Sequence, residues 1–338
     1  MTSKVDVAII GAGIVGLAHA FLAARSGRTV AVFERNPAAF GASIRNFGMI
    51  WPIGQPAGPM HLLALRSREL WLEMLSEAGL PCFETGSLHA TYRDDEAAVG
   101  QEFSRIGPTL GYDCTWLTTD QALARSQALR GEGLLGALWS PTELTVDPRQ
   151  IVRSLPRFLA ERYGVEFHFN CAVQRVESST LHTADMSREA ASIIVAGGDD
   201  FQTLFPDCFS DAGLTRCKLQ MMRIAAQPDG WQLGPSLAFG PQLLARCPVL
   251  PCLPKPGEGE HAVIWTTRRA PTPTFAPLYS MGKFCSRFSW RRLGVCLPSD
   301  NRSTSSATHA ASSETLTCPF WSASALRSRR PSNTARVK

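Results

Sequence analysis

The sequence lacks what several large classes of protein need. None of its apolar runs reaches the ~18 residues of a membrane-spanning helix, so no integral membrane segment is expected. Its opening, MTSKVDVAIIGAG, has no basic segment followed by a cleavable apolar one; no secretory leader is expected and the chain is read as cytoplasmic. None of its ten cysteines is spaced C-x-x-C, which argues against a structural zinc or a thioredoxin-type centre, and no metal is expected. Scattered cysteines in a reducing compartment behave as small buried apolar residues. There is no internal repeat.

Acids are nearly missing from the C-terminal quarter. Thr266 to Lys338 holds twelve Lys and Arg but only Asp300 and Glu314, while the preceding residues carry 22 bases against 27 acids. The net charge of +5 therefore joins an acidic body to a basic tail, and no nucleic-acid partner is expected. The tail also lacks any sustained period of 2 or 3.6, and 22 of its 73 residues are Ser or Thr, so no element is assigned there. It reads as an aberrant or disordered tail. The expected origin is an out-of-frame or otherwise altered C-terminus starting between Gly240 and Thr274; natural disorder is the alternative, against which Trp290, Phe320, Trp321 and Leu326 are unusual in a solvated segment.

What is present is concentrated at the other end. Val5–Ile10 is a continuous apolar run, read as a strand buried on both faces. Gly11, Ala12, Gly13, Ile14, Val15 and Gly16 follow as GxGxxG, then a helix to Ser26 and a second strand from Thr29 to Phe33. Such a turn brings backbone N–H groups and the positive end of a helix to a pyrophosphate. Glu34 closes the second strand, where its carboxylate can accept both ribose hydroxyls and would repel a 2′-phosphate, despite the adjacent Arg35. The unit is a dinucleotide site. Its spacing alone does not separate NAD from FAD.

Further helices are expected over Met60–Ala78, Asp94–Ile106, Thr119–Ser126 and from Asp147-Pro148 to Arg162. Strands are expected over Ser87–Tyr92, Leu134–Trp139, Val165–Asn170, Val173–Glu177, Ile193–Val195 and Leu219–Ala226.

The segment after the acid decides between cofactors. Gly41, Ser43, Arg45, Asn46 and Gly48 lie in GASIRNFG, which resembles the G-x-S-x-x-N-x-G segment of the D-amino-acid oxidase superfamily of FAD-dependent oxidoreductases. VDPRQIVRSLPRFL, VEFHFNCAVQRVE and IIVAGGDD resemble three further segments of that superfamily, and RNFGMIWPIGQPAGPMH with GDDFQTLFPD resembles a clade associated with phosphonate catabolism. The resemblance runs from Val5 to about Arg223. It implies an α/β fold: an FAD-binding Rossmann-like (ββα, glutathione-reductase type) domain at 1–85 and 146–215, a discontinuous α+β substrate domain at 86–145 and 216–265, and the irregular tail at 266–338.

It also implies roles. Ser43 and Arg45 would lie near the pyrophosphate and ribityl chain, Asn46 and Gly48 near the isoalloxazine ring, and Val173 and Gly197 along the cofactor. Met49, Trp51, His61 and Gln220 are candidates for the substrate side, with Lys218, Arg223 and Arg246 as weaker ones. The implied reaction is oxidation of a C–N bond in a small amine or amino acid, in the narrower form an aminophosphonate, by hydride transfer to flavin N5. Oxygen or a carrier would then take the electrons. A residue that performs acid–base catalysis is not identified. The last strand, glycine-rich turn and helix with which the superfamily closes its site are not found. Three other readings therefore stay open: a truncated flavoprotein of little activity, an NAD-dependent dehydrogenase, and a flavin hydroxylase.

Overall fold

The computed structural model describes residues 4–212 and 227–239, single positions at 214, 216, 221 and 225, and the backbone of 264–265. The expected strand at 219–226 and the tail at 266–338 lie outside the described residues. The chain divides into two compact, discontinuous units. Of the described residues, one holds those within Met1–Gly41 and Leu155–Arg216, the other those within Ala42–Ser154 and Cys217–Phe288. The divisions fall after residues 41 and 154, where the sequence reading drew its domain boundaries at 85 and 145.

In the first unit, β1 (Val5–Ile10) is the centre of a six-stranded sheet. Its neighbours are β2 (Val30–Phe33) and the long β11 (Ser187–Val195), both parallel to it. β8 (Glu166–His168) adds a further parallel strand beyond β2, while β10 (Thr180–His182) and β9 (Arg175–Glu177) continue antiparallel from β11. All four residues of β2 and five of the six in β1 are buried, as a sheet covered on both faces requires. The connection between them is α1 (Ile14–Arg25), where Ala and Leu favour helix and Gly27, at φ +81°, lets the chain turn. Val5, Ala8, Phe33, Leu181, Ala190 and Leu204 pack together as a core of this unit.

β11 is three times longer than the sequence suggested. Ser187, Arg188 and Glu189 hid its first half, because charged residues do not read as buried strand. Arg188 is nonetheless buried there, its guanidinium 2.6 Å from Glu166. β10 escaped the sequence reading for a related reason: three residues are too few to show a period.

The second unit carries a five-stranded sheet in the order β13 (Ile264–Trp265), β12 (Ser236–Phe239), β4 (Ser87–Thr91), β6 (Gly136–Ser140), β5 (Thr115–Leu117). β12 runs parallel to β4 and the other pairings are antiparallel. A two-residue pair, β3 (Met49–Ile50) with β7 (Leu144–Thr145), lies beside it in sequence. The helices are α2 (Pro59–Glu77), α3 (Asp94–Ile106) and α4 (Thr119–Arg125), the last opened by a capping box between Thr118 and Gln121. α5 (Pro148–Tyr163) opens on Asp147, whose carboxylate accepts the Arg149 and Gln150 N–H groups, and the unit boundary falls within it. The short α6 (Pro206–Asp211) belongs to the first unit. Among the described residues no helix is long and apolar enough to cross a membrane.

Candidate cofactor-binding site

The glycine turn is built where β1, β2 and β11 end together. The Gly11 N–H donates to the Phe33 carbonyl at 2.7 Å, and the Ala196 N–H donates to the Ile10 carbonyl at 2.8 Å. Gly11 has φ +105°, and a Cβ there would lie 2.4 Å from the Ala196 carbonyl oxygen, so both conformation and space demand glycine. Gly13 is the extended N-cap residue of α1. As a glycine it offers no side-chain cap, and the first turn of the helix holds no acid. The N–H end formed by Ile14, Val15 and Gly16 carries the positive end of the helix dipole.

Glu34 faces the turn. It is 8% exposed, and its Oε2 accepts the Ala12 N–H at 3.0 Å. Its Oε1 accepts both the backbone N–H and the side-chain Nδ2 of Asn36, each at 3.0 Å. A carboxylate has about four acceptor positions. Three are used, which leaves capacity for one hydroxyl on Oε2, where the sequence reading assigned Glu34 two. Backbone bonds tie this corner to the end of β8: Glu34 N–H to the His168 carbonyl, Cys171 N–H to that of Glu34, and Asn170 N–H to that of Asn36. Val173 follows two residues after Cys171 with its side chain buried among Phe33 and Leu181. Gly197 follows Ala196, and a Cβ added to it would meet nothing within 4 Å. Arg35 is exposed and its Nη1 lies 2.7 Å from Asp200 Oδ2. The structure therefore brings residues 11–16, 34, 35, 173 and 197 together within the first unit.

The remaining candidates belong to the second unit. Ser43 sits in a single 3-10 turn, Ala42–Ile44, and the Arg45 N–H closes it on the Ala42 carbonyl. The Arg45 side chain is exposed. The Asn46 side chain organises this loop: Nδ2 donates to the Ala42 and Ser43 carbonyls at 3.2 and 2.9 Å, and Oδ1 accepts the Gly48 N–H at 2.8 Å. Gly48 has φ +71°, and a Cβ there would fall 2.0 Å from the Val146 carbonyl oxygen.

Met49 pairs with Thr145, and Trp51 stacks on His89 with ring centroids 5.6 Å apart. His61 is buried. Its two ring nitrogens each lie 3.2 Å from a carbonyl oxygen, of Pro52 and of Gly111, and its ring packs on Tyr112. With both nitrogens facing carbonyls, His61 braces the start of α2. Gln220, with Lys218, Arg223 and Arg246, lies outside the described residues.

A family profile described as FAD dependent oxidoreductase (DAO) matches residues 6–267. The chain belongs to this family. Its relatives include the glycine oxidase of Geobacillus kaustophilus, 26% identical over an alignment of 209 residues that covers 59% of this chain and 55% of that protein. The D-amino acid dehydrogenase 2 of Ralstonia nicotianae is 24% identical over 255 residues, 57% of this chain and 60% of the other. The chain thus spans little more than half the length of the curated relatives it matches.

Two solved structures share the fold. The crystal structure of glycine oxidase from Geobacillus kaustophilus gives a TM-score of 0.58 at 24% identity, over 70% of this chain and 66% of that one. L-Proline dehydrogenase from P. horikoshii gives 0.58 at 20% identity, over 71% and 65%.

The residues of this member of the FAD dependent oxidoreductase family fit an FAD at the adenosine end. A helix N-terminus opened by Gly13 with no acid in its first turn suits the pyrophosphate, a turn without Cβ at Gly11 and Gly13 permits close approach, and Glu34 keeps one acceptor position for a ribose hydroxyl. Sequence reasoning missed a second group of polar residues, all in the second unit. Glu143 is fully buried; it accepts the Ile53 N–H and the hydroxyls of Ser87 and Thr142 at 2.8–3.1 Å. Burial pushes its carboxyl above the ordinary range, against the lowering effect of those bonds. His89, also buried, is pushed down to about 4 by desolvation. No spacing rule flags either residue, because Glu143 lies in a loop and its partners come from distant segments.

Proposed function

We propose that this FAD-dependent oxidoreductase oxidises the C–N bond of a small amine or amino acid, giving an imine that hydrolyses to a carbonyl compound and ammonia or an amine. The reading is carried by the family match over residues 6–267 together with the Glu34–Ala12 corner beside the α1 N-terminus. When bound, the flavin supplies at N5 an acceptor for the hydride that leaves the carbon next to nitrogen. The chain's own part begins with binding. Backbone N–H groups of residues 13–16 hold the pyrophosphate, Glu34 accepts a ribose hydroxyl, and the Gly48 loop, fixed by Asn46, is assigned to the flavin ring. Met49 and Trp51 follow that loop and are proposed to wall the substrate side; the His89 stack holds the indole plane. The amine reacts as its free base, so no dedicated proton acceptor is required, and oxygen or a carrier completes the cycle.

The narrower substrate is an aminophosphonate. It is supported by the wording of segments 45–61 and 198–207, and it would require a cation for the phosphonate. The test is a visible spectrum of the purified full chain, followed by anaerobic addition of glycine, D-alanine or an aminophosphonate. A stoichiometric flavin band bleached by one of these supports the proposal. A bound flavin that none of them bleaches overturns the substrate class. Absence of flavin overturns the function and favours the reading of a flavoprotein-like chain of little activity, which the patternless 266–338 segment also favours.

A further inference from the structure

Arg35 stands directly after the ribose-binding acid, at the place where an arginine serves a 2′-phosphate in dinucleotide folds that accept one. Here its guanidinium is already engaged. Nη1 lies 2.7 Å from Asp200 Oδ2, and Asp200 comes from the loop that leaves β11 just beyond Gly197 and Gly198. That loop is firmly held. Asp200 Oδ1 accepts the N–H groups of Gln202 and Thr203 at 3.3 and 3.1 Å. Arg216 donates to the Asp199 carbonyl at 2.7 and 3.1 Å and to Gln202 Oε1 at 2.7 Å, with its guanidinium 4.9 Å from the Phe201 ring centroid.

The Asp200 side chain is 16% exposed against 52% for Arg35, so the anion is the fixed partner and the cation the adaptable one. An exposed ion pair alone counts for little, but a carboxylate already oriented by two amides loses little freedom in holding its guanidinium. Burial works against the charged form of Asp200. The bonds from Thr203 and Gln202 and the Arg35 charge outweigh it and keep the carboxyl below its ordinary range.

We propose that Asp200 is a specificity residue of the adenosine site: by occupying Arg35 it makes the chain accept an adenosine with a free 2′-hydroxyl and reject its 2′-phosphorylated counterpart. Asp200 holds the guanidinium next to Glu34, and an incoming 2′-phosphate must displace the Asp200 carboxylate to reach that cation. Glu34 alone does not explain rejection, because Arg35 beside it would otherwise offer compensation. This inference rests on the cofactor reading above.

The experiment uses the full chain and two probes, 5′-ADP and adenosine 2′,5′-bisphosphate, each competed against FAD by flavin fluorescence. The wild type should bind 5′-ADP at least about 10-fold more tightly than the bisphosphate. Asp200→Asn keeps an oxygen for the Gln202 and Thr203 amides and releases Arg35. It should bring the two affinities within about 3-fold, mainly by tighter binding of the bisphosphate, and the gain should shrink as salt rises. Adding Arg35→Gln should abolish it. Asp200→Ser, which also keeps an acceptor for the turn, is the second variant should the first not fold. If the wild type binds FAD and 5′-ADP but the folded variants keep its preference, the inference is wrong. If the wild type binds neither FAD nor 5′-ADP, the cofactor reading itself falls and takes the inference with it.

Discussion

Replacing Glu34 by glutamine tests the adenosine corner with a change of one atom. The wild-type carboxylate accepts three N–H groups, all at 3.0 Å, from a position 8% exposed. The amide keeps one oxygen, but its NH₂ must face either the Ala12 N–H or the Asn36 pair, donor against donor. The more favourable flip keeps the two Asn36 bonds and leaves the Ala12 N–H without its acceptor. A buried donor without a partner costs about 1–3 kcal/mol, and loss of the negative charge weakens the two remaining bonds. The same flip places an NH₂ at the one position left for a ribose hydroxyl, so FAD loses an acceptor as well.

The expected result is a protein less stable by about 2 kcal/mol whose FAD affinity falls roughly 10- to 100-fold. Urea unfolding of the flavin-free chain reads the first effect and fluorescence titration with FAD the second. A variant that binds FAD within 3-fold of wild type and unfolds at the same urea concentration would refute the assignment of Glu34, since both effects follow from one atom.

Gly48→Ala places a methyl group 2.0 Å from the Val146 carbonyl at a positive φ; strain of roughly 1–2 kcal/mol adds to the clash, and thermal unfolding should begin well below wild type. His89, held neutral with a value near 4, contributes stability that is complete above pH 6.5 and lost as the pH falls toward 4, at up to about 1.4 kcal/mol per unit. His89→Phe retains the stack on Trp51 and should flatten this part of a stability-versus-pH curve; an unchanged slope would exclude His89 as its source. Glu143→Ala strips the acceptor from the Ile53 N–H and two hydroxyls and opens a cavity, so a loss of about 3 kcal/mol in denaturant unfolding is expected.

The first unit was legible because its constraints are local. Gly11, Gly13, Gly16 and Glu34 lie within one βαβ stretch, and each residue type follows from a steric or hydrogen-bonding need in that stretch. α2, α3, α4 and α5 were legible from caps and apolar spacing. The illegible parts share a different cause. β5, β7 and β10 have two or three residues each and take their form from neighbours across the sheet, and β12 pairs with β4, nearly 150 residues earlier. Arg188 became a core residue only because Glu166 meets it there. Asn46 was assigned to the flavin ring from resemblance alone. In the fold its donors and acceptor serve the loop, a role that local geometry reveals and sequence does not.

The register of Val5 with Ala190 governs how this chain emerges from a ribosome. Once the first strand is made, one of its two lateral partners arrives only after about 180 further residues of synthesis. Until then a strongly apolar edge waits unpaired, and the loop that must close to satisfy it is long. Slow maturation and a need for protection of the nascent β1 segment follow from that pairing.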